Sequence, residues 1–250
     1  MNTSAERATV VVTGAAGALG AATADTFAAA GFEVIGLDID PSVAQPGRPG
    51  IRGIQVDLTD ETTVHAVLTE LADEGGRLAH LVGIAGGALP QEPVTQHDPV
   101  LLQPAVFRDS IDRNLTSQFL VLQAALPWFR RLGGGDRSVT FISSWNATSA
   151  QGMPAYSAAK AGLIGMMHAL VRPLGAESIR VNVVAPGTIR TPRTERIWAH
   201  DEGHFERLAQ GAASGRLGVP QDVAGTCLAL ARDLTHVCGQ VLVVDGGKSA

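Results

Sequence analysis

The sequence predicts an α/β fold in which a single doubly wound, seven-stranded parallel sheet is flanked by helices on both faces. Two observations carry that prediction. Short β-branched runs such as Thr9-Val-Val-Val12 alternate with longer alanine-rich stretches, the pattern of repeated βαβ units around a parallel sheet. The first run also leads into a glycine-rich turn that opens a helix, the local arrangement at the start of doubly wound sheets.

In chain order, Ala8–Thr13 reads as the first strand, and the alanine-rich stretch at 18–30, closed by Gly31, as the first helix. Strands follow at about 33–37 and 52–56, then a helix at about 60–73 and a strand at about 79–84. A long apolar helix is expected at 105–130, a strand at 138–143, a helix at 154–171, a strand at 179–184, a helix at 220–232 and a last strand at 240–244. Gly133-Gly-Gly135 falls between an apolar helix and a buried strand, so it reads as a helix stop and turn. Nothing divides the chain, which is expected to form one domain over residues 1–250. Two connections are longer than simple turns: Gly86 to Pro104, and Arg190 to Gly218, which carries Trp198 and Phe205. Connections of that length often cover or bind ligands, so 190–218 is expected to be a substrate lid.

Composition narrows the function. An apolar fraction of 45% with 17% charged residues describes a compact globular chain. A net charge of −5 gives no general attraction to nucleic acid or anionic membranes. Cys227 and Cys238 lie eleven residues apart with no Cys-x-x-Cys pairing, which argues against a disulfide framework or zinc knot and fits the reducing cytoplasm. The polar stretch Asn2 to Arg7 runs straight into residues 9–12, too short an apolar run for a signal peptide or a membrane span. The sequons at Asn2, Asn114 and Asn146 then read as chance matches.

After the first strand comes Thr13-Gly14-Ala-Ala-Gly17-Ala18-Leu19-Gly20. Glycines there permit a tight turn that brings backbone amides to a pyrophosphate at a helix N-terminus. The next strand ends on Asp38, eighteen positions beyond Gly20. A carboxylate there can accept both adenosine ribose hydroxyls and repel a 2′-phosphate, which favours NAD over NADP. No arginine replaces or immediately follows it.

Tyr156 is the only tyrosine, and it stands four residues before Lys160, downstream of Ser143-Ser144. Positions i and i+4 share a helix face, so the lysine ammonium can favour the phenolate. A phenol titrates near pKa ~10; brought toward neutrality by a cation, it would serve as a general base for an alcohol and a general acid for a carbonyl.

Taken together, these residues resemble the short-chain dehydrogenase/reductase family from Thr13 to Gly247. Thr13-Gly14 with Gly17, Leu19 and Gly20 resembles its Rossmann-like cofactor loop, and Asp57-Leu58 its adenine contact. Ala85-Gly86 resembles the turn after the fourth strand. Asn114, Ser144, Tyr156 and Lys160 resemble the catalytic set, and Pro186-Gly187 with Thr188, Ile189 and Thr191 the turn over the nicotinamide. Gly239 to Gly247 resembles the closing strand and turn. The resemblance implies that Tyr156 exchanges a proton with the substrate oxygen, that the serine holds that oxygen, that Lys160 binds the nicotinamide ribose, and that Asn114 holds a water linking the lysine to solvent. It also implies a homotetramer or homodimer formed through the helices at 105–130 and after Tyr156.

Three departures from the family stand out. Ala18 replaces a glycine; Gly83-Ile84-Ala85-Gly86 replaces Asn-Asn-Ala-Gly; and Ser144 lies twelve residues before Tyr156 where the family has thirteen, the spacing of Ser143. Adjacent strand residues face opposite ways, so only one serine can serve, and strand alignment favours Ser144.

His200-Asp-Glu-Gly-His204 has helical histidine spacing, but Gly203 and the lack of a third ligand read it as solvated loop, with no metal. His168, in an apolar run, reads as a satisfied helix residue. Trp145, Trp198 and Phe205 could be core, or an apolar wall for a ring-bearing substrate. Arg190, Arg193 and Arg196 could bind a substrate carboxylate or phosphate, or stay solvated. The sequence therefore points to an NAD-dependent enzyme interconverting a secondary alcohol and a ketone. The rivals are an NADPH-dependent ketoreductase and a dinucleotide sensor without turnover.

Overall fold

A computed structural model of the protein describes residues 8–92, 99–131, 135–149 and 153–249. The polar N-terminal stretch with its Asn2 sequon, the middle of the Gly86–Pro104 connection and most of the Gly133–Gly135 turn lie outside these. The chain runs β1 (Ala8–Thr13), α1 (Ala18–Ala29), β2 (Glu33–Asp38), β3 (Ile51–Gln55), α2 (Glu61–Asp73) and β4 (Arg77–Gly83). It continues through α3 (Pro104–Ile111), α4 (Ser117–Arg131), β5 (Arg137–Ile142), α5 (Pro154–Gly175) and β6 (Ile179–Pro186). The last elements are α6 (Pro192–Ile197), α7 (His204–Gln210), α8 (Pro220–Arg232) and β7 (Val241–Val244).

All seven strands join one parallel sheet in the order β3-β2-β1-β4-β5-β6-β7. The chain winds outward from β1 to β3, crosses back to β4 beside β1, and winds outward again to β7. Strand order therefore reverses between β1 and β4, where doubly wound sheets open a crevice at the strands' C-terminal ends.

Strand side chains alternate between two cores. Val11, Leu81 and Val181 pack with Leu68 of α2, Phe129 of α4 and Met167 of α5 on one face. Val10, Val12 and Val184 pack with Phe27 of α1 and Leu230 of α8 on the other. Burial on both faces explains why these strands read as continuous apolar runs.

The structure revises several boundaries. The helix expected at 105–130 is α3 and α4 joined through a π turn, Asp112–Thr116. There the side-chain Nδ2 of Asn114 donates to the Ser110 carbonyl four residues back, at 2.9 Å. α5 runs on to Gly175, past Pro173, and β6 to Pro186. The 190–218 connection folds into two short helices that propensity did not reveal. Thr191 caps α6 in a capping box, with Pro192 in its first turn, a start signal that was present in the sequence. His168 is exposed, as are Phe107 and Phe119 on α3 and α4, by 40% and 45%. Among the described residues no helix is long and apolar enough to cross a membrane.

Candidate active site

The turn after β1 is shaped by contacts that leave no room for a side chain. Gly14 adopts φ +69°, and a Cβ there would meet the Ala85 backbone at 2.9 Å; one on Gly20 would meet the Gly14 carbonyl oxygen at 2.0 Å. Gly17 is the N-cap of α1 and supplies no side-chain cap, so the helix opens with amides free for an anion. Leu19 packs against the core beneath the turn. Ala18 is only part-buried, and its methyl group is accommodated in the first turn of α1. Thr13 Oγ1 accepts the amides of Ile84 and Ala85 at 2.9 and 3.0 Å, tying β1 to the end of β4 across the crevice.

Asp38 stands at the end of β2 and accepts the amides of Ala16 and Asp40, both at 2.9 Å. Two of its roughly four acceptor positions remain open. Asp57 accepts from the amide and hydroxyl of Thr59 at 2.9 and 2.7 Å, and Leu58 is buried. A glycine cradle, open helix amides and an oriented carboxylate fit a dinucleotide.

β5 delivers three consecutive residues to the first turns of α5. The Ile142 carbonyl accepts Lys160 Nζ at 2.9 Å. Ser143 Oγ donates to the Lys160 carbonyl at 2.7 Å and is buried. Ser144 turns the other way, and its hydroxyl hydrogen-bonds the Tyr156 hydroxyl and exchanges bonds with Asn146 at 3.2 Å. The two serines thus divide as strand alternation requires: Ser143 is used in packing, and Ser144 faces the phenol. Lys160 is buried, with Nζ 5.7 Å from the Tyr156 ring centroid.

The electrostatics differ from the sequence expectation. Burial pushes the Tyr156 phenol above its ordinary value, against the bond from Ser144 and the charge of Arg193, and with the charge of Glu92. Burial also pushes Lys160 down to about 8. A lysine drawn toward neutrality is a weaker lever on its neighbour, so desolvation governs the phenol.

Asn114 is fully buried. Its Oδ1 accepts the Gly87 amide at 2.7 Å, and its Nδ2 donates to the carbonyls of Gly87 and Ser110 at 3.2 and 2.9 Å. Both amide hydrogens are used, so the side chain clamps the loop after β4. Gly86, at φ +121°, leaves room for that clamp, since a Cβ there would lie 2.4 Å from Asn114 Oδ1.

On the far side of the crevice, Pro186 ends β6 and the Gly187 amide bonds the Val244 carbonyl at 2.9 Å. Ile189 pairs with Gly218 to close the base of the 190–218 segment, and the Thr191 hydroxyl is engaged with Thr194.

The aromatic residues fall into two places. Trp198 stacks on His204 with centroids 3.9 Å apart, Phe205 meets the edge of the same ring, and Arg190 lies over Phe205. Trp145 instead carries Lys248 over its face at 4.5 Å. His204 bonds Asp201 at 2.9 Å, and no group of three or more potential metal ligands occurs among the described residues. Two of the three lid arginines separate: Arg190 pairs with Glu195, whereas Arg193 donates to the Ala88 carbonyl and bears on Tyr156.

A family model described as enoyl-(acyl carrier protein) reductase matches residues 14–249. A probable galactose dehydrogenase of Rhizobium meliloti is 34% identical over 95% of this chain and 93% of its own. The 3-oxoacyl-[acyl-carrier-protein] reductase of Escherichia coli is 34% identical over 95% of both. A solved oxidoreductase of the short-chain dehydrogenase/reductase family from Burkholderia thailandensis superposes with TM-score 0.85 at 33% identity, over 98% of this chain and 94% of that one. This chain belongs to the short-chain dehydrogenase/reductase family. As a short-chain dehydrogenase/reductase it is an NAD(P)-dependent oxidoreductase. The ligand-free aldohexose dehydrogenase of Thermoplasma acidophilum matches equally well in fold, with TM-score 0.85 at 28% identity over 98% of this chain and 94% of that one.

Within this short-chain dehydrogenase/reductase, the missing asparagine at position 83 has a replacement from another element. Gln118 of α4 donates to the Ala85 carbonyl at 2.8 Å and approaches Thr13 Oγ1 at 3.4 Å. A Cβ on Gly83 would lie 2.4 Å from Gln118 Oε1. The glutamine occupies the volume that a side chain at position 83 would fill, and ties β1 to β4 from above. No local pattern marks Gln118; the absent side chain at Gly83 was the one available signal. Glu92 was likewise missed, because it sits in a long connection with no periodicity.

Proposed function

We propose that this enzyme interconverts a secondary alcohol and a ketone by hydride transfer, with Tyr156 as general acid and base and NAD as the preferred cofactor. The observation that carries the reading is the convergence of the Ser144 hydroxyl and the Lys160 ammonium on the chain's only phenol. Gly14, Gly17, Leu19 and Gly20 would hold the pyrophosphate, Asp38 the adenosine ribose, and Asp57, Leu58, Ala85 and Gly86 the adenine side. Pro186, Gly187, Ile189 and Thr191 would cover the nicotinamide, and Lys160 would bind its ribose. When bound, the nicotinamide supplies or accepts the hydride.

In the oxidation direction Ser144 Oγ orients the substrate hydroxyl, and Tyr156 Oη takes its proton. In reduction the same phenol returns a proton to the carbonyl oxygen. Two things can lower the phenol into the working range: a full charge on Lys160, favoured when its ammonium gains ribose oxygens as partners, and the Ser144 hydrogen bond. Asn114 serves by fixing the loop after β4 beside the pocket. The 190–218 segment would close over the substrate and exclude water.

Tyr156→Phe removes the proton carrier while leaving the fold, so turnover should fall by about 10²- to 10⁴-fold with NADH binding retained. Near-wild-type turnover would sink the mechanism. Nicotinamide fluorescence titrations test the cofactor assignment: NADH should bind at least tenfold more tightly than NADPH, a difference of about 1.4 kcal/mol. Equal or tighter NADPH binding would move the assignment to an NADPH-dependent ketone reductase.

A further inference from the structure

Glu92 is a carboxylate of only 1% exposure, delivered by the connection after β4 to the start of α5. Its two oxygens accept the backbone amide of Tyr156 at 2.9 and 3.2 Å, and Oε2 also accepts the Ser110 hydroxyl at 3.3 Å. No ion pair to Glu92 occurs among the described residues. A carboxylate removed from water without a cation is expensive unless hydrogen bonds compensate, and helix α5 supplies the compensation. Its N-cap, Met153, provides no side-chain cap, and Pro154 at the first helical position has no N–H. The amide of Tyr156 is thus one of the unpaired donors of the first turn, and the positive end of a 22-residue helix favours an anion at that point.

We propose that Glu92 is a positioning residue for Tyr156, which fixes the first turn of α5 from the loop beside the pocket and holds a negative charge close to the phenol. The inference rests on the catalytic role proposed for Tyr156. The same carboxylate reaches Ser110, whose carbonyl anchors Asn114, and Asn114 clamps Gly87 of the same loop. Loop, π turn and catalytic helix therefore meet at one buried anion. The charged groups facing the phenol are Lys160 from its own helix, Arg193 from α6 and Glu92 from the loop; Ser144 faces it with a neutral hydroxyl. The two cations favour phenolate and Glu92 opposes it, so Glu92 biases the resting enzyme toward the protonated phenol.

Because the chain has one tyrosine, tyrosine labelled with ¹⁵N and ¹³Cζ gives one amide and one phenol resonance, both assigned without further work. Glu92→Gln keeps an acceptor but removes the charge, so the phenol midpoint should fall by about one pH unit while the amide stays protected. Glu92→Ala also removes the acceptor, and exchange of the Tyr156 amide should accelerate at least tenfold. An unchanged phenol midpoint in Glu92→Gln, or unchanged amide exchange in Glu92→Ala, overturns the proposal. If the alanine protein does not fold, the glutamine protein alone decides through its phenol midpoint. Neither readout needs turnover, so failure here is distinct from failure of the catalytic reading, which Tyr156→Phe tests.

Discussion

At the N-terminal ends of the strands, Arg180 buries its guanidinium against Asp136, with bonds of 2.7 and 2.9 Å, and also donates to the carbonyls of Leu230, Ala231, Leu234 and Val237. At the C-terminal ends, Lys160 buries its ammonium with one carbonyl bond among the described residues, to Ile142. The first cation is saturated, and the second has two of its three hydrogens to spare. His80 follows the lower pattern: it bonds Ser138 at 2.9 Å, lies beside Phe27 and Phe32, and is held neutral by burial, at about 4. An open cleft of about 480 Å³ lies at this lower end, lined by residues including Phe32, His80 and Asp136, yet its buried polar groups already have protein partners. Arg180 thus has its bonds complete within the protein, whereas Lys160 keeps donors available to a ligand; Arg137, at the lower end, leaves only Nε without a partner among the described residues.

The comparison can be broken by removing each cation in turn. Arg180→Leu strands four carbonyls and a carboxylate, and should cost about 3–5 kcal/mol of unfolding free energy while leaving activity per folded molecule unchanged. Denaturant unfolding that showed under 1 kcal/mol would mean the network contributes little.

Lys160→Met should act in the opposite direction. The folded-state value of about 8 lies below the ordinary 10.5. The unfolded chain therefore holds the proton more tightly, and the burial penalty is full below pH 8 and fades as pH rises to 10.5. At pH 7 the methionine protein should be more stable by up to about 3 kcal/mol, with the gain gone near pH 10.5 and turnover lost. Destabilisation at pH 7 would place Lys160 with the structural cations.

The smallest effect sharpens the contrast within the crevice itself. Gly83→Asn should cost about 1–3 kcal/mol, because its Cβ would meet Gln118 Oε1 at 2.4 Å and the Phe141 ring at 3.0 Å. Pairing it with Gln118→Ala should recover part of that loss. If the double substitution is simply additive, the two positions do not share one volume.

Much of this was legible before any coordinates. The alternation of β-branched and alanine-rich runs marked all seven strands, because strands buried on both faces must be continuously apolar. Tyr156 and Lys160 were legible because helical periodicity brings positions four apart together. The folded lid was not, because α6 and α7 are too short to show a period; nor was the phenol's direction of shift, which depends on burial.

By itself the sequence determined which residues could do chemistry: one tyrosine, a lysine one turn later, glycines where a backbone must approach a ligand, and an acid at the end of the second strand. The tertiary structure alone decided that Ser143 bonds the Lys160 carbonyl, that Gln118 replaces a missing side chain from 35 positions away, and that Glu92 caps a helix 64 residues distant. Local pattern encodes what a segment can become. Desolvation and contact between distant segments exist only once the chain has folded, and they shift both Tyr156 and Lys160 from their ordinary values.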